Sequence, residues 1–186
     1  EVEWEYQLAT VYFNQDKHKK ATKTLEKIEG EKGFSEKVTL LKASIYESDE
    51  DYDLALIELE KVMVLFPEAI QFRIVAAELC MKSGQEDEAA KYYLEMLDVD
   101  STNIFALTNL TDYYRKKEDY ASSFKYLNKS FASPMIDARR KMAILSFYLS
   151  DEKFLNDYPE ELAVLLDVLI EVHPEAYDAR LLASDF

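Results

Sequence analysis

Apolar residues recur along the chain at intervals of three and four, in blocks of about 13 residues separated by short polar breaks. In the first stretch the blocks run over roughly 2–14 and 17–29. Two helices of that length are too short to be stable alone in water, so each must bury its apolar stripe against a neighbour. The same two-block pattern returns after every 34 residues. Ala9, Ala43, Ala77 and Thr111 fall in one column, and Ala21, Ala55, Ala89 and Ser123 in another. Larger residues fill three more: Tyr12, Tyr46, Cys80 and Tyr114; Leu25, Leu59, Tyr93 and Leu127; Ile28, Val62, Met96 and Ser130. Four copies keep step without a gap.

Each column has a physical reading. The small columns mark helix crossings, where a side chain larger than Ala or Ser pushes the backbones apart, and the large columns fill the space between layers. Asp49, Glu50 and Asp51 lie in the turn before a second helix, where carboxylates suit the helix N-terminus. Pro67 falls just past a helix end. Ala55→Leu is therefore expected to overpack a crossing and cost ~1–3 kcal/mol. Glu58, taken as a solvent-facing position, is expected to tolerate Gln at under ~0.5 kcal/mol.

Period, two-helix unit and column types resemble the tetratricopeptide repeat. The resemblance implies an all-α fold, a right-handed α-solenoid of antiparallel helix pairs, as a single domain over 1–186. The repeats are placed at about 2–35, 36–69, 70–103, 104–135 and 136–174, with a half repeat over 175–186. The second copy fits best, through Ala43, Tyr46, Ala55, Leu59, Val62 and Pro67. The fifth is irregular: helices are expected over Arg139–Leu149 and Pro159–Val172, with an extra stretch of about seven residues within Ser150–Tyr158. PEAYDARLLA after Pro174 parallels PEAIQFRIVA after Pro67, so the last stretch is read as half of a sixth repeat in a segment of a longer array. No signal peptide is read in the chain, and the opening Glu1 suits either a processed product or a cut-out segment.

In the family the first helix of each pair lines a concave groove that binds a peptide or protein. Carried over, the groove residues are Tyr6, Thr10 and Phe13 in the first copy and Leu40, Ser44 and Glu47 in the second. The third copy offers Ile74, Glu78 and Met81, and the fourth Phe105, Thr108, Asp112 and Arg115. Chaperone-binding members hold a C-terminal carboxylate with Lys, Asn and Arg, but Tyr6, Thr10, Gln71 and Val75 stand at corresponding places here. A partner ending in acidic residues is accordingly disfavoured. Irregular repeats rich in Tyr and Asp resemble those of long bacterial proteins, many of the cell envelope, with the cytoplasm as the alternative.

Composition narrows the partners. The net charge is −15, which repels phosphate backbones and anionic lipid heads, so no nucleic acid is expected. Residues 151–178 carry nine acids against the single Lys153, so a basic partner is favoured at that acidic C-terminal face. No run approaches the ~18–20 apolar residues of a membrane span, so no direct membrane insertion is expected. Leu181, Leu182 and Phe186, on an uncovered last helix, are candidates for homo-oligomer contacts.

No chemistry-bearing constellation emerges. His18 and His173 stand far apart and read as solvent-touching helix ends, so no metal site is expected. Asp49, Asp51, Asp53 and Glu60 have calcium-loop spacing, but Leu54 occupies the position that needs glycine. Cys80 lies in a core column without a nearby His to activate it. The three glycines cannot form a phosphate- or dinucleotide-binding loop, so no cofactor is expected. The basic clusters Lys17–Lys20 and Arg139–Lys141 are read as solvated helix ends. The chain is therefore expected to be a protein-binding adaptor or scaffold and not an enzyme. The alternatives are the recognition arm of a larger enzyme and a self-association element.

Overall fold

The computed structural model describes the backbone of residues 2–185 and the side chains of 2–183. Among the described residues there are twelve α-helices and no strand. The chain divides into two compact units, 1–99 and 100–186.

The first unit holds α1 (Val2–Asn14), α2 (His18–Lys32), α3 (Glu36–Ser48), α4 (Tyr52–Leu65), α5 (Ile70–Lys82) and α6 (Glu86–Val99). They pack as the pairs α1/α2, α3/α4 and α5/α6, with α2 against α3 and α4 against α5. The columns explain the packing. Ala9, Ala21, Ala43, Ala55, Ala77 and Ala89 are all buried where helices cross. Leu25, Leu59 and Tyr93 are buried between layers, as are Ile28, Val62 and Met96. Each such aliphatic side chain contributes about 1.5–3 kcal/mol on leaving water. With Ala55 fully enclosed, the ~1–3 kcal/mol cost expected of Ala55→Leu stands. Denaturant unfolding checks it.

The turn inside each pair repeats as faithfully as the core. Asp16, Glu50, Gly84 and Glu118, spaced 34 apart, all have left-handed φ, of 55°, 59°, 76° and 59°. The next N–H reaches back to the helix: Lys17 to Tyr12 O, Asp51 to Tyr46 O, Gln85 to Cys80 O and Asp119 to Tyr114 O, at 2.8–3.0 Å. The left-handed residues themselves donate to Phe13, Glu47, Met81 and Arg115 O. These paired bonds satisfy carbonyls that a helix end otherwise leaves orphaned. Only one of the four positions is glycine. Gly84→Ala is expected to cost ~1 kcal/mol from backbone strain alone, because a Cβ there would meet nothing within 4 Å. Glu50→Gly should shift stability the opposite way, and thermal unfolding of both variants reads the pair of signs.

The second unit holds α7 (Ile104–Lys116), α8 (Tyr120–Phe131), α9 (Ala138–Leu149), α10 (Glu152–Asp157), α11 (Pro159–Val172) and α12 (Tyr177–Asp185). Helix α8 packs on α7 and α11, and α11 also meets α9, α10 and α12. Asn103, Asp119, Asp137 and Asp151 cap α7, α8, α9 and α10 with side-chain oxygens. The expected helices over Arg139–Leu149 and Pro159–Val172 are present, and most of the extra stretch between them is itself the short helix α10. Phe154 pins it into a core with Phe124, Tyr148, Leu165 and Leu166. The turn after α9 lacks the left-handed residue of the other four, since Asp151, the second residue past the helix, has φ −108°.

Several expectations are corrected. Glu58 does not face solvent: it is buried and ion-paired to Lys42 at 3.0 Å and Lys61 at 2.9 Å. Lys141 is not a solvated helix end. It is fully buried, donating to Ser133 O at 2.8 Å and lying 3.0 Å from His173 Nε2. Nor do the histidines simply touch solvent: His18 bonds Asp49 at 2.6 Å, and His173 is nearly buried beside Lys141. In the aromatic column, Tyr12, Tyr46 and Tyr114 are half-buried while Cys80 is fully enclosed. Of the self-association candidates, Leu181 is exposed, Leu182 packs on the second unit's core, and Phe186 lies outside the described residues.

Candidate functional site

None of the thirteen residues expected to line a groove is buried. In the first unit they lie on α1, α3 and α5, and several are engaged locally. Tyr6 and Phe13 lean on the core around Ala9, Leu25 and Ile28. The Thr10 and Ser44 hydroxyls donate to their own helices, at Tyr6 O (3.0 Å) and Leu40 O (2.9 Å). Glu47 pairs with Lys82 across α3 and α5. Leu40 and Ile74 are half-buried, whereas Glu78 and Met81 are open to solvent.

The second unit offers a defined cavity. A pocket of about 460 Å³ opens between α7 and α9, with α8 beneath it. Thr108, Asp112 and Arg115, three of the four residues expected from the fourth copy, line one wall together with Ile104. Phe105, the fourth, is exposed on α7 and is not part of the lining. Leu127 and Ser130 of α8 and Ile136 of the α8–α9 loop contribute from below. The opposite wall comes from α9, through Arg140, Ala143, Ile144, Phe147 and Tyr148.

These walls combine apolar surface with a few fixed polar groups. Arg115 donates to Asp112 at 2.9 Å, and that bond keeps the guanidinium firmly charged. The Thr111 and Ser130 hydroxyls are bonded to Leu107 O and Leu127 O, at 2.8 and 2.7 Å. Burial pushes the Tyr148 phenol above its ordinary value, so it stays neutral. Ile104, Ile144 and Phe147 supply the apolar surface, and the Phe147 ring is 56% exposed at the mouth. Arg140, exposed on the same rim, uses its backbone N–H on the Asp137 cap. An apolar pocket rimmed by a few fixed polar groups has the general make-up of a ligand cleft.

No protein-family model matches the chain. No curated protein matches it either. Solved structures do. A crystal structure of MamA superposes with a TM-score of 0.57 at 18% identity, covering 69% of this chain and 75% of its own. MamA AMB-1 gives 0.55 at 19% identity, with 69% and 70% covered. MamA from residue 41 onward, from Desulfovibrio magneticus RS-1, gives 0.54 at 18%, with 69% and 73% covered. The likeness is one of fold. It places this chain among all-α solenoids built from helix pairs.

The α9 wall escaped sequence reasoning because the fifth copy breaks the 34-residue step, leaving no column to point at Arg140, Ile144 or Phe147. The legible signal was the basic cluster Arg139–Lys141 leading into an aromatic-rich helix. Other candidates for chemistry stay apart. Burial lifts the Cys80 thiol to about 11, which leaves it protonated and unreactive. Among the described residues no three His, Cys, Asp or Glu side chains gather to hold a metal ion. Helix α4 runs unbroken from Tyr52 to Leu65, where the calcium-loop spacing would require a loop. Among the described residues no helix is long and apolar enough to cross a membrane.

Proposed function

We propose that this chain is a tetratricopeptide-type repeat array that binds a protein partner, performs no catalysis itself, and takes an apolar side chain of that partner into the pocket between α7 and α9. The 34-residue columns, the four identical left-handed turns and the likeness to MamA support the family. The observation that carries the function is the pocket itself, about 460 Å³ with Ile104, Ile144 and Phe147 on its apolar surface. Arg140 at the rim supplies a donor for a carbonyl or carboxylate of the bound segment, while the Asp112–Arg115 pair fixes one wall. A buried apolar anchor within a polar rim is the usual energetic core of such a contact.

Panning a random-peptide library against the full chain tests this. Peptides with a recurrent Leu, Ile or Phe anchor are expected. Their affinity should fall at least ~10-fold in the Ile144→Ala, Phe147→Ala double variant, the usual scale for truncating central contacts. Ile144 is half-buried and Phe147 exposed, so the fold should survive, which circular dichroism checks. Peptides without an apolar anchor, or unchanged binding by the variant, would remove the pocket from the mechanism.

A further inference from the structure

Helix α4 is apolar on two faces. Ala55, Leu56, Leu59, Val62 and Met63 point into the first unit, as the stripe of an ordinary amphipathic helix should. Leu54, Ile57, Val64 and Leu65 are nevertheless exposed, Val64 by 81%. At 3.6 residues per turn these four fall within an arc of roughly 100°. The one charged side chain inside that arc, Lys61, is drawn to Glu58 at 2.9 Å. An aliphatic stripe left in water, interrupted only by Lys61, marks a contact surface.

The charges beside the stripe say what covers it. Asp53 and Glu60, two turns apart, flank it on one edge, and both are exposed. Beyond that edge lies a groove of about 370 Å³ between α4 and α6, where Glu60, Glu88 and Glu95 gather around Tyr92. The groove's cations are already neutralised within the chain: Arg73 by Glu95 at 3.0 Å and Lys91 by Glu88 at 2.6 Å. Glu60 accepts only the Tyr92 hydroxyl, at 3.1 Å, and among the described residues no cation pairs with Asp53, Glu60 or Glu68. A second copy of this chain would bring a further net charge of −15 to this acidic edge.

We propose that the α4–α6 face of the first unit docks a basic amphipathic helix of another protein, its apolar side on Leu54, Ile57, Val64 and Leu65 and its cations on Asp53 and Glu60. Helix-on-stripe contact supplies the affinity and the uncompensated carboxylates set the choice of partner. This surface is separate from the α7–α9 pocket, and either can fail without the other.

The probe is a synthetic amphipathic peptide of about 18 residues, five helical turns, with leucines on one face and lysines on the other. A counterpart carries glutamate for lysine, and a shuffled peptide has the same Leu/Lys composition without a face. Binding to the full chain is followed by fluorescence anisotropy, and its location by amide chemical shifts. The Leu/Lys helix should bind with shifts concentrated in α4 and α6. The glutamate helix should not bind, and the shuffled peptide should bind at least ~10-fold more weakly. Ile57→Ser with Val64→Ser should reduce binding by a similar factor, while Asp53→Asn with Glu60→Gln should weaken it and flatten its salt dependence. All four side chains are exposed, so the variants should fold. Equal binding of the shuffled or glutamate peptide, shifts elsewhere, or indifference to the serine variant would overturn the proposal. So would a dimer that becomes monomeric in the serine variant, since the occupant would then be a second copy.

Discussion

Lys42→Met is expected to destabilise the first unit by about 3–5 kcal/mol at neutral pH, the usual cost of removing one partner from a buried ion pair. Lys42 is 3% exposed, with its ammonium 2.8 Å from Glu29 and 3.0 Å from Glu58. One residue of α3 thus ties α2 to α4. Methionine matches the stem but leaves two carboxylates facing each other out of water, and Glu29 Oε1 already lacks a hydrogen-bond partner. Adding Glu29→Gln and Glu58→Gln should recover part of the loss, because the stranded charges are then gone.

The pH dependence of this cluster has a definite sign. Burial works against a charged Lys42, but the hydrogen bonds and charges of Glu29 and Glu58 outweigh it and raise its pKa. Its contribution is therefore complete below the unfolded value of about 10.4 and is lost as pH climbs through the higher folded value. Burial likewise opposes ionised Glu58, but Lys61 and Lys42 outweigh it and lower its pKa. That contribution is present above the unfolded value of about 4.3 and disappears as pH falls through the lower folded one. In the methionine variant Glu58 has lost one of its two cationic partners and takes up a proton more readily, so the deficit should shrink on acidification toward about pH 4.5. Denaturant titrations at both pH values check this. A neutral-pH loss under about 1 kcal/mol would mean that the cluster is solvated and the buried-pair description is wrong.

Phe154→Ala is expected to cost the second unit a similar ~3–5 kcal/mol. Phe154 is the only buried residue of α10, and its ring meets Tyr148 at 4.9 Å and Tyr120 at 5.1 Å, both edge-on. Phe124 and Tyr158 complete the cluster at 6.3 and 6.1 Å. Such pairs add ~0.5–1.5 kcal/mol each beyond area burial. Helix α10 has six residues and cannot persist without that anchor. Amide exchange across 152–157 should accelerate well beyond the global change. If stability and exchange both stay unaltered, α10 is an ornament on the unit and not part of its core.

The helix pairs were legible because burial follows composition at the column positions: Ala9, Ala55 and Leu59 are where only small or only large apolar groups fit. The left-handed turns were not. Asp16, Glu50 and Glu118 carry no compositional mark, and only Gly84 in the same column hints at positive φ. Glu58 and Lys141 were misread for a shared reason. A charged side chain is solvated by default, and what buries it is a partner remote in sequence: Lys42 for the one, Ser133 and His173 for the other. The α7 wall of the pocket lies on the 34-residue step, whereas the α9 wall lies past the break in it, so half of the site was visible. The exposed stripe on α4 hid behind the buried one, since a helix apolar on two faces reads as simply well buried.

The most direct test of the central claim is affinity capture from lysate of the source organism, comparing the full chain with its Ile144→Ser, Phe147→Ser variant after both are shown to be folded. A partner protein held by the first and lost by the second is the predicted result. Equal capture by both, or no specific protein on either, would contradict a partner-binding role for the pocket between α7 and α9.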